Sequence, residues 1–391
     1  MSDFGGKFIS GVVSAVREAV GRDRASLHEP SFEGNELKYV ADCIQTGWVS
    51  SVGSYVDRFE SMIREITGAA GAAAVVNGTC GLHACLVLAG VEPGDEVVIP
   101  ALTFVGTANA AAMAGAVPHF VDSESQTLGL DPAALRARLD EFAEMRGGEC
   151  FNRQTGRRIK AAVPVHIYGH PANAGEITNV CGEFGIEMIE DAAEALGSLT
   201  GGRHVGLDGR LSVLSFNGNK TVTTGGGGAI YTRDRELAAK AKHLTSTAKK
   251  GHPYKFLHDM AGFNYRMPNL NAALGCAQLE MLPEFLARKR ALAARYEKAF
   301  AGIEGVCCVR EPGGAKSNYW LNSIILDEEH SGLRDQVVEA LNEAGMQARP
   351  AWNLLSGLPM YEDCPRDGLE TARRLEAGLI NLPSGPGLSG A

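Results

Sequence analysis

From residue 72 to residue 231 the chain alternates short apolar runs with stretches of helical spacing, and no other feature narrows the fold as far. The apolar runs fall at 72–76, 96–99, 117–121, 160–165, 187–190, 211–216 and 228–231. Helical periodicity occupies 81–89, 103–114, 132–142 and 176–184, with Asp131 and Pro132 as cap and first turn of the third stretch. Strands apolar on both sides are buried on both faces, so the pattern predicts an α/β fold with a mostly parallel sheet covered by helices. Ligands in such folds bind at the carboxyl ends of the strands.

Beyond the alternating region, 279–300 reads as one long charged helix leading into a smaller C-terminal α/β unit. That unit is expected to hold strands at 319–326 and 347–350 and a helix at 333–343. With 391 residues the chain exceeds one small core, and the expected division is 1–275, a large cofactor-binding domain with an N-terminal segment, and 276–391, the long helix with the small domain. The Gly/Arg-rich stretch 143–158 reads as an exposed loop without chemistry.

Composition removes several functions. A net charge of −9 argues against a nucleic-acid footprint. Residues 1–20 are only weakly amphipathic, and no apolar run reaches the length of a membrane span or a signal core. Nine scattered Cys without a Cys-x-x-Cys pair read as reduced thiols of a cytoplasmic protein, and no metal site is expected.

The chemistry concentrates at two places. Asp191 closes the strand-like run 187–190, and Lys220 lies in Ser215-Phe216-Asn217-Gly218-Asn219-Lys220, just ahead of the glycines 225–228. An acid on a strand end with a lysine on a loop is what pyridoxal phosphate chemistry needs. The amine forms a Schiff base with the cofactor aldehyde, and the carboxylate keeps the pyridine nitrogen protonated. The turn Asn77-Gly78-Thr79-Cys80-Gly81 joins a strand to a helix, whose N-terminus suits a phosphate; an ordinary structural turn is an equal reading. Ser215 offers a hydroxyl to that phosphate. Phe104, after a strand, is either a ring-stacking aromatic or a core residue. Glu194, three residues past Asp191, is either a group near the cofactor hydroxyl or a solvated helix residue. Asn264 and Arg266 precede another helix. Asn264 is a phosphate donor if the segment is more than a cap, and Arg266 holds an anion or the local fold. No G-x-G-x-x-G after an early strand and no G-x-x-x-x-G-K-[ST] is present, which disfavours a dinucleotide-dependent dehydrogenase.

These motifs, with Thr103-Phe104, Val165-His166-Ile167-Tyr168-Gly169-His170-Pro171 and Asn264-Tyr265-Arg266-Met267, resemble the DegT/DnrJ/StrS sugar-nucleotide aminotransferases over nearly the whole chain. The resemblance implies the aspartate-aminotransferase-like architecture of fold-type I pyridoxal phosphate enzymes, with a seven-stranded type of sheet. It implies that Lys220 is the Schiff-base lysine and Asp191 the pyridinium partner. Thr79 and Ser215 would hold the phosphate, Phe104 the ring and Glu194 the ring oxygen, with Gly78 and Cys80 also among the cofactor-binding residues. Asn264 would reach into the site of a neighbouring subunit, so a homodimer with shared active sites is implied. The cofactor would alternate between pyridoxal and pyridoxamine 5'-phosphate, with L-glutamate as amino donor. Lys220 itself separates the chain from relatives with His there, which dehydrate their substrates. Segments 27–32, 47–53 and 217–228 are most similar to the LegC branch. That branch implies amination at C4 of a UDP-linked 4-keto-6-deoxy-N-acetylhexosamine for legionaminic acid or bacillosamine glycans, with a GDP- or dTDP-linked 4-keto-6-deoxy sugar as the alternative. A non-catalytic regulator on the same fold is the rival outside enzymology. His28, His170, Tyr319 and Arg349 are the expected substrate contacts. Relatives often continue past Pro386 with a further short helix, which leaves the completeness of the C-terminus open.

Overall fold

The computed structural model describes residues 2–389. A seven-stranded sheet forms its centre, with strands β1 (Gly71–Val75), β2 (Glu96–Pro100), β3 (Val117–Val121), β4 (Ile159–Ala162), β5 (Glu187–Asp191), β6 (Leu211–Ser215) and β7 (Gly228–Thr232). Their spatial order is β1-β7-β6-β5-β4-β2-β3. From β3 to β6 every neighbouring pair is parallel, and β7 runs antiparallel to both β1 and β6. This is the aspartate-aminotransferase-like α/β fold.

Alternation along each strand divides the core in two. Val97 and Ile99 of β2 pack with helices Gly78–Leu88 and Gly106–Met113 on one face. Val98 between them faces the other way, toward helices Pro132–Phe142 and Ala174–Glu183. On that second face, Ala74, Leu214 and Tyr231 rest on helices Ser54–Thr67 and Asn269–Glu280. Helix Pro132–Phe142 starts where its sequence dictates. The Asp131 carboxylate accepts from the backbone N–H of Ala133 at 2.7 Å, and Pro132 needs no donor in the first turn.

A second core belongs to the C-terminal unit. Its antiparallel sheet runs Val306–Cys308, Asn322–Leu326, Leu379–Leu382, Arg349–Pro350. Helices Leu282–Phe300 and Arg334–Glu343 cover it, joined by the N-terminal helix Ser2–Val20 through Phe8, Val12, Val16 and Val20. Residues 5–20 thus share a core with the C-terminal unit rather than with the central sheet, and position 275 lies inside helix Asn269–Glu280.

Two local readings need correction. The long helix expected over 279–300 is two, Asn269–Glu280 and Leu282–Phe300. Pro283 has no N–H to offer Leu279 and its ring crowds that carbonyl, so it is accepted only in the first turn of a new helix. The stretch 143–158 is not featureless. Strands Ala143–Arg146 and Glu149–Asn152 pair across Gly147-Gly148, both at positive φ, as a two-residue hairpin requires. Asn152, at the hairpin's end, and Thr155, just past it, donate to the buried Glu96 carboxylate at 2.9 and 2.5 Å. His119 Nδ1 meets it at 2.8 Å. The hairpin therefore satisfies an acid that opens β2, at the end of the sheet remote from β5's carboxyl terminus.

Candidate active site

The carboxyl ends of β5 and β6 and the loops after β1 and β2 enclose a cavity of about 250 Å³. Gly78, Thr79, Phe104, Asp191, Glu194, Ser215 and Lys220 all line it, with Thr107, Trp320 and Trp352. At one end, helix Gly78–Leu88 begins, capped by Asn77 Oδ1, which accepts from Cys80 N–H at 2.8 Å. Close packing draws this turn toward β6. A Cβ on Gly78 would sit 3.2 Å from Ser215 Cβ, and one on Gly228 would meet the Asn77 backbone at 2.7 Å. Small residues at 78 and 228 are therefore what let the helix start stand beside Ser215.

At the other end, Asp191 is the last residue of β5 and is buried. Thr107 Oγ1 donates to one carboxylate oxygen at 2.8 Å and Ala193 N–H to the other at 3.1 Å. Burial pushes this carboxyl above the usual aspartate range, and the Thr107 and Ala193 donors and the Lys220 charge only partly offset it. Glu194 is likewise raised by burial, against the pull of Lys220 and the Tyr168 N–H, which donates to it at 2.8 Å. Lys220 Nζ donates to Glu194 Oε1 at 3.2 Å and lies 3.6 Å from the centroid of the Trp320 ring. Phe104 is 54% exposed and stands at the cavity wall, not in the core.

The remaining named residues lie elsewhere. Cys80 is outside the lining and contributes its backbone to the helix cap. Asn264 is exposed, away from its own subunit's cavity. Arg266 is buried and donates to Glu60 at 2.8 Å and to the Ala74 carbonyl at 3.1 Å, so it holds the local fold. The four expected substrate contacts do not line this cavity. His28 is buried against Lys289 at 3.0 Å. His170 is buried with both ring nitrogens unpartnered among the described residues, its ring nearly perpendicular to that of Tyr319, and burial pushes it down to about 4. The Tyr319 hydroxyl accepts from Glu311 N–H at 3.3 Å. Arg349 is exposed on the C-terminal sheet. Thr107, Trp320 and Trp352 are lining residues that sequence reading passed over. Thr107 sits in a run of small residues that reads as plain helix. The tryptophans belong to the C-terminal unit, more than a hundred residues from Asp191, and only the fold brings them near.

The sequence profile described as the DegT/DnrJ/EryC1/StrS aminotransferase family matches residues 30–391. The chain belongs to that family. It is similar to the GDP-perosamine synthase of Vibrio cholerae, 36% identical over 363 residues, which cover 93% of this chain and 94% of that one. Among solved structures it resembles the aminotransferase TlmJ from Streptoalloteichus hindustanus, with a TM-score of 0.82 and 30% identity over 92% of this chain and 93% of that one. It also resembles DesI, determined in the presence of its TDP-sugar product, with a TM-score of 0.81 and 29% identity over 93% and 88% of the two chains. This DegT-family member is a pyridoxal-phosphate-dependent aminotransferase of sugar nucleotides. Among its described residues, no helix is long and apolar enough to cross a membrane.

Proposed function

We infer that this chain transfers the amino group of L-glutamate to C4 of a GDP-linked 4-keto-6-deoxy sugar. The observation that carries this choice of nucleotide is the 36% identity, across nearly all of both chains, with a GDP-perosamine synthase. A UDP-linked 4-keto-6-deoxy-N-acetylhexosamine is the second reading, favoured by the likeness of residues 27–32, 47–53 and 217–228 to the LegC branch.

The lining residues fit the cofactor. The amino end of helix Gly78–Leu88, with Gly78, Thr79 and Ser215, offers N–H and hydroxyl donors for a phosphate. Asp191 offers a buried carboxylate for a ring N–H, and Phe104 a face for the ring. When bound, pyridoxal phosphate supplies a carbonyl that carries the amino group and a ring that takes up electrons. Asp191 holds a proton at the ring nitrogen. Lys220, released when the donor amine binds, would take the proton from the substrate carbon that bears the amino group and deliver it to the cofactor carbon on the other side of that nitrogen. Glu194 keeps that amine oriented from 3.2 Å. Phe104, Trp320 and Trp352 give the proton's path apolar walls.

In this reading the working unit is a homodimer, with Asn264 of each copy at the other's cofactor site. Its exposure supports this, as does that of the large apolar side chains Trp48, Val52, Tyr254 and Phe256. The protein is cytoplasmic in this reading, in keeping with nine free thiols.

The test is a panel of GDP-, UDP- and dTDP-linked 4-keto sugars, with glutamate as donor and 2-oxoglutarate as readout. Amination of the GDP sugar is expected. Transfer to the UDP sugar alone would replace the first reading with the second. Borohydride reduction should fix the cofactor on the peptide bearing Lys220, and Lys220→Ala should abolish turnover. A wild-type rate in that variant would end the assignment.

A further inference from the structure

Lys289 is fully buried in helix Leu282–Phe300, and among the described residues no carboxylate pairs with it. Its Nζ reaches three segments that are distant in sequence: the Trp320 carbonyl at 3.1 Å, the Ser384 carbonyl at 2.5 Å and His28 Nε2 at 3.0 Å. A buried amine without an acid is expensive, so its hydrogen bonds have to hold something in place. Of these three segments, the one at Trp320 reaches the cavity. Trp320 N–H donates to Asn318 Oδ1 at 2.8 Å, and its indole N–H donates to the Asn219 carbonyl at 2.7 Å, one residue before Lys220. Asn318 Nδ2 also donates to the carbonyls of Glu194 and Leu196, both at 2.9 Å. The segment 318–320 therefore grips both partners of the Lys220–Glu194 pair. Lys220 Nζ lies 3.6 Å from the indole centroid and 3.2 Å from the Glu194 carboxylate, so ring and acid hold it together.

We propose that Trp320 is the positioning residue for Lys220, its ring face the seat of the amine whenever that amine is unbonded, and that Lys289 is the staple that fixes Trp320. This rests on Lys220 being the reactive amine. A free lysine that takes a proton becomes an ammonium and has to wait near the carbon that receives the proton back. An aromatic face attracts the cation and limits where its flexible stem can go. The C-terminal unit thereby reaches the chemistry through one side chain.

The test compares three variants. Trp320→Leu removes the face and is expected to lower kcat roughly 10-fold with KM values held within about 3-fold, the pattern of a lost transition-state interaction. Trp320→Phe keeps a ring and should recover most of that loss. Lys289→Met should lower kcat in the same direction by about 3-fold with KM unmoved. A second readout needs no turnover: the rate at which cofactor-free protein captures pyridoxal phosphate on Lys220, quenched with borohydride and read by mass. It should slow in Trp320→Leu and return in Trp320→Phe. A folded Trp320→Leu with kcat and capture rate unchanged overturns the proposal, and so does Trp320→Phe impaired as badly as Trp320→Leu. If the leucine variant does not fold, unchanged kcat and capture in Lys289→Met overturn it. Wild-type protein that captures the cofactor elsewhere than Lys220 instead defeats the assignment of the lysine itself.

Discussion

Glu190 and Asp191 are neighbours at the end of β5, both buried, yet they face opposite sides of the strand into different cavities. Glu190 is surrounded by donors: His166 Nε2 at 3.0 Å and the backbone N–H groups of Gly206, Asp208 and Gly209 at 3.0, 2.9 and 2.6 Å. Ala172 N–H donates to His166 Nδ1 at 3.0 Å, which leaves the ring proton on Nε2, pointing at Glu190. Burial pushes the Glu190 carboxyl up, but these donors outweigh it and hold it below the usual glutamate range. Among the described residues Asp191 has two donors, Thr107 and Ala193, and there burial wins. One strand end thus presents a finished carboxylate on one side and an under-satisfied one on the other. The number of donors decides which acid supports the fold and which is left for a ligand.

The sharpest way to break this contrast is Asp191→Asn. Activity should fall on the order of 10²–10³-fold, as expected for loss of one preorganised charged group. Stability should move the other way. A group whose folded pKa is raised stabilises fully below its unfolded value, and that contribution is lost as pH rises through the folded value. At neutral pH burying this carboxyl therefore costs the cofactor-free wild type stability. The amide should gain on the order of 1 kcal/mol in urea unfolding. A variant that loses stability there would show Asp191 to be structural.

Glu190→Gln should behave in reverse. An NH₂ group then faces N–H donors, and about 2–3 kcal/mol of stability is lost. With Asp191 untouched, kcat should change little. The Glu190 pKa is depressed in the fold, so its stabilisation is present above the unfolded value and disappears as pH falls through the folded one. The gap between wild type and variant should close in acid, below the ordinary glutamate value of 4.5. A gap that persists there would mean that the loss comes from packing, not charge.

Sequence carried one side of this contrast much further than the other. Asp191, Lys220, Ser215 and Thr79 stand within or beside local strand-to-loop signals, so the pattern that predicts β5 and β6 also predicts where their ends point. Glu190 alternates with Asp191 along β5, and strand geometry alone sends successive side chains to opposite faces. Its donors come from residues 206–209, whose backbone conformation no side chain announces. Trp320 and Trp352 arrive from the C-terminal unit through long-range packing that periodicity does not encode. His28, His170 and Tyr319 are buried in that junction, outside the cavity lining. A polar ring in a motif reads as a ligand-binding group whether it ends in a pocket or in a core.

Phe104 gives the smallest test and the cleanest separation of ligand from fold. At 54% exposure it contributes little to the core, so Phe104→Leu should leave cofactor-free stability within about 0.5 kcal/mol of wild type. If the ring covers the cofactor, the same change removes an aromatic contact of about 0.5–1.5 kcal/mol, a loss of roughly 2- to 12-fold in cofactor affinity. Titration of cofactor-free protein with pyridoxal phosphate measures that loss directly. Unchanged affinity with unchanged stability would leave Phe104 without a role in either the fold or the cofactor site. Equal losses in both would place it with Glu190, among residues the fold uses.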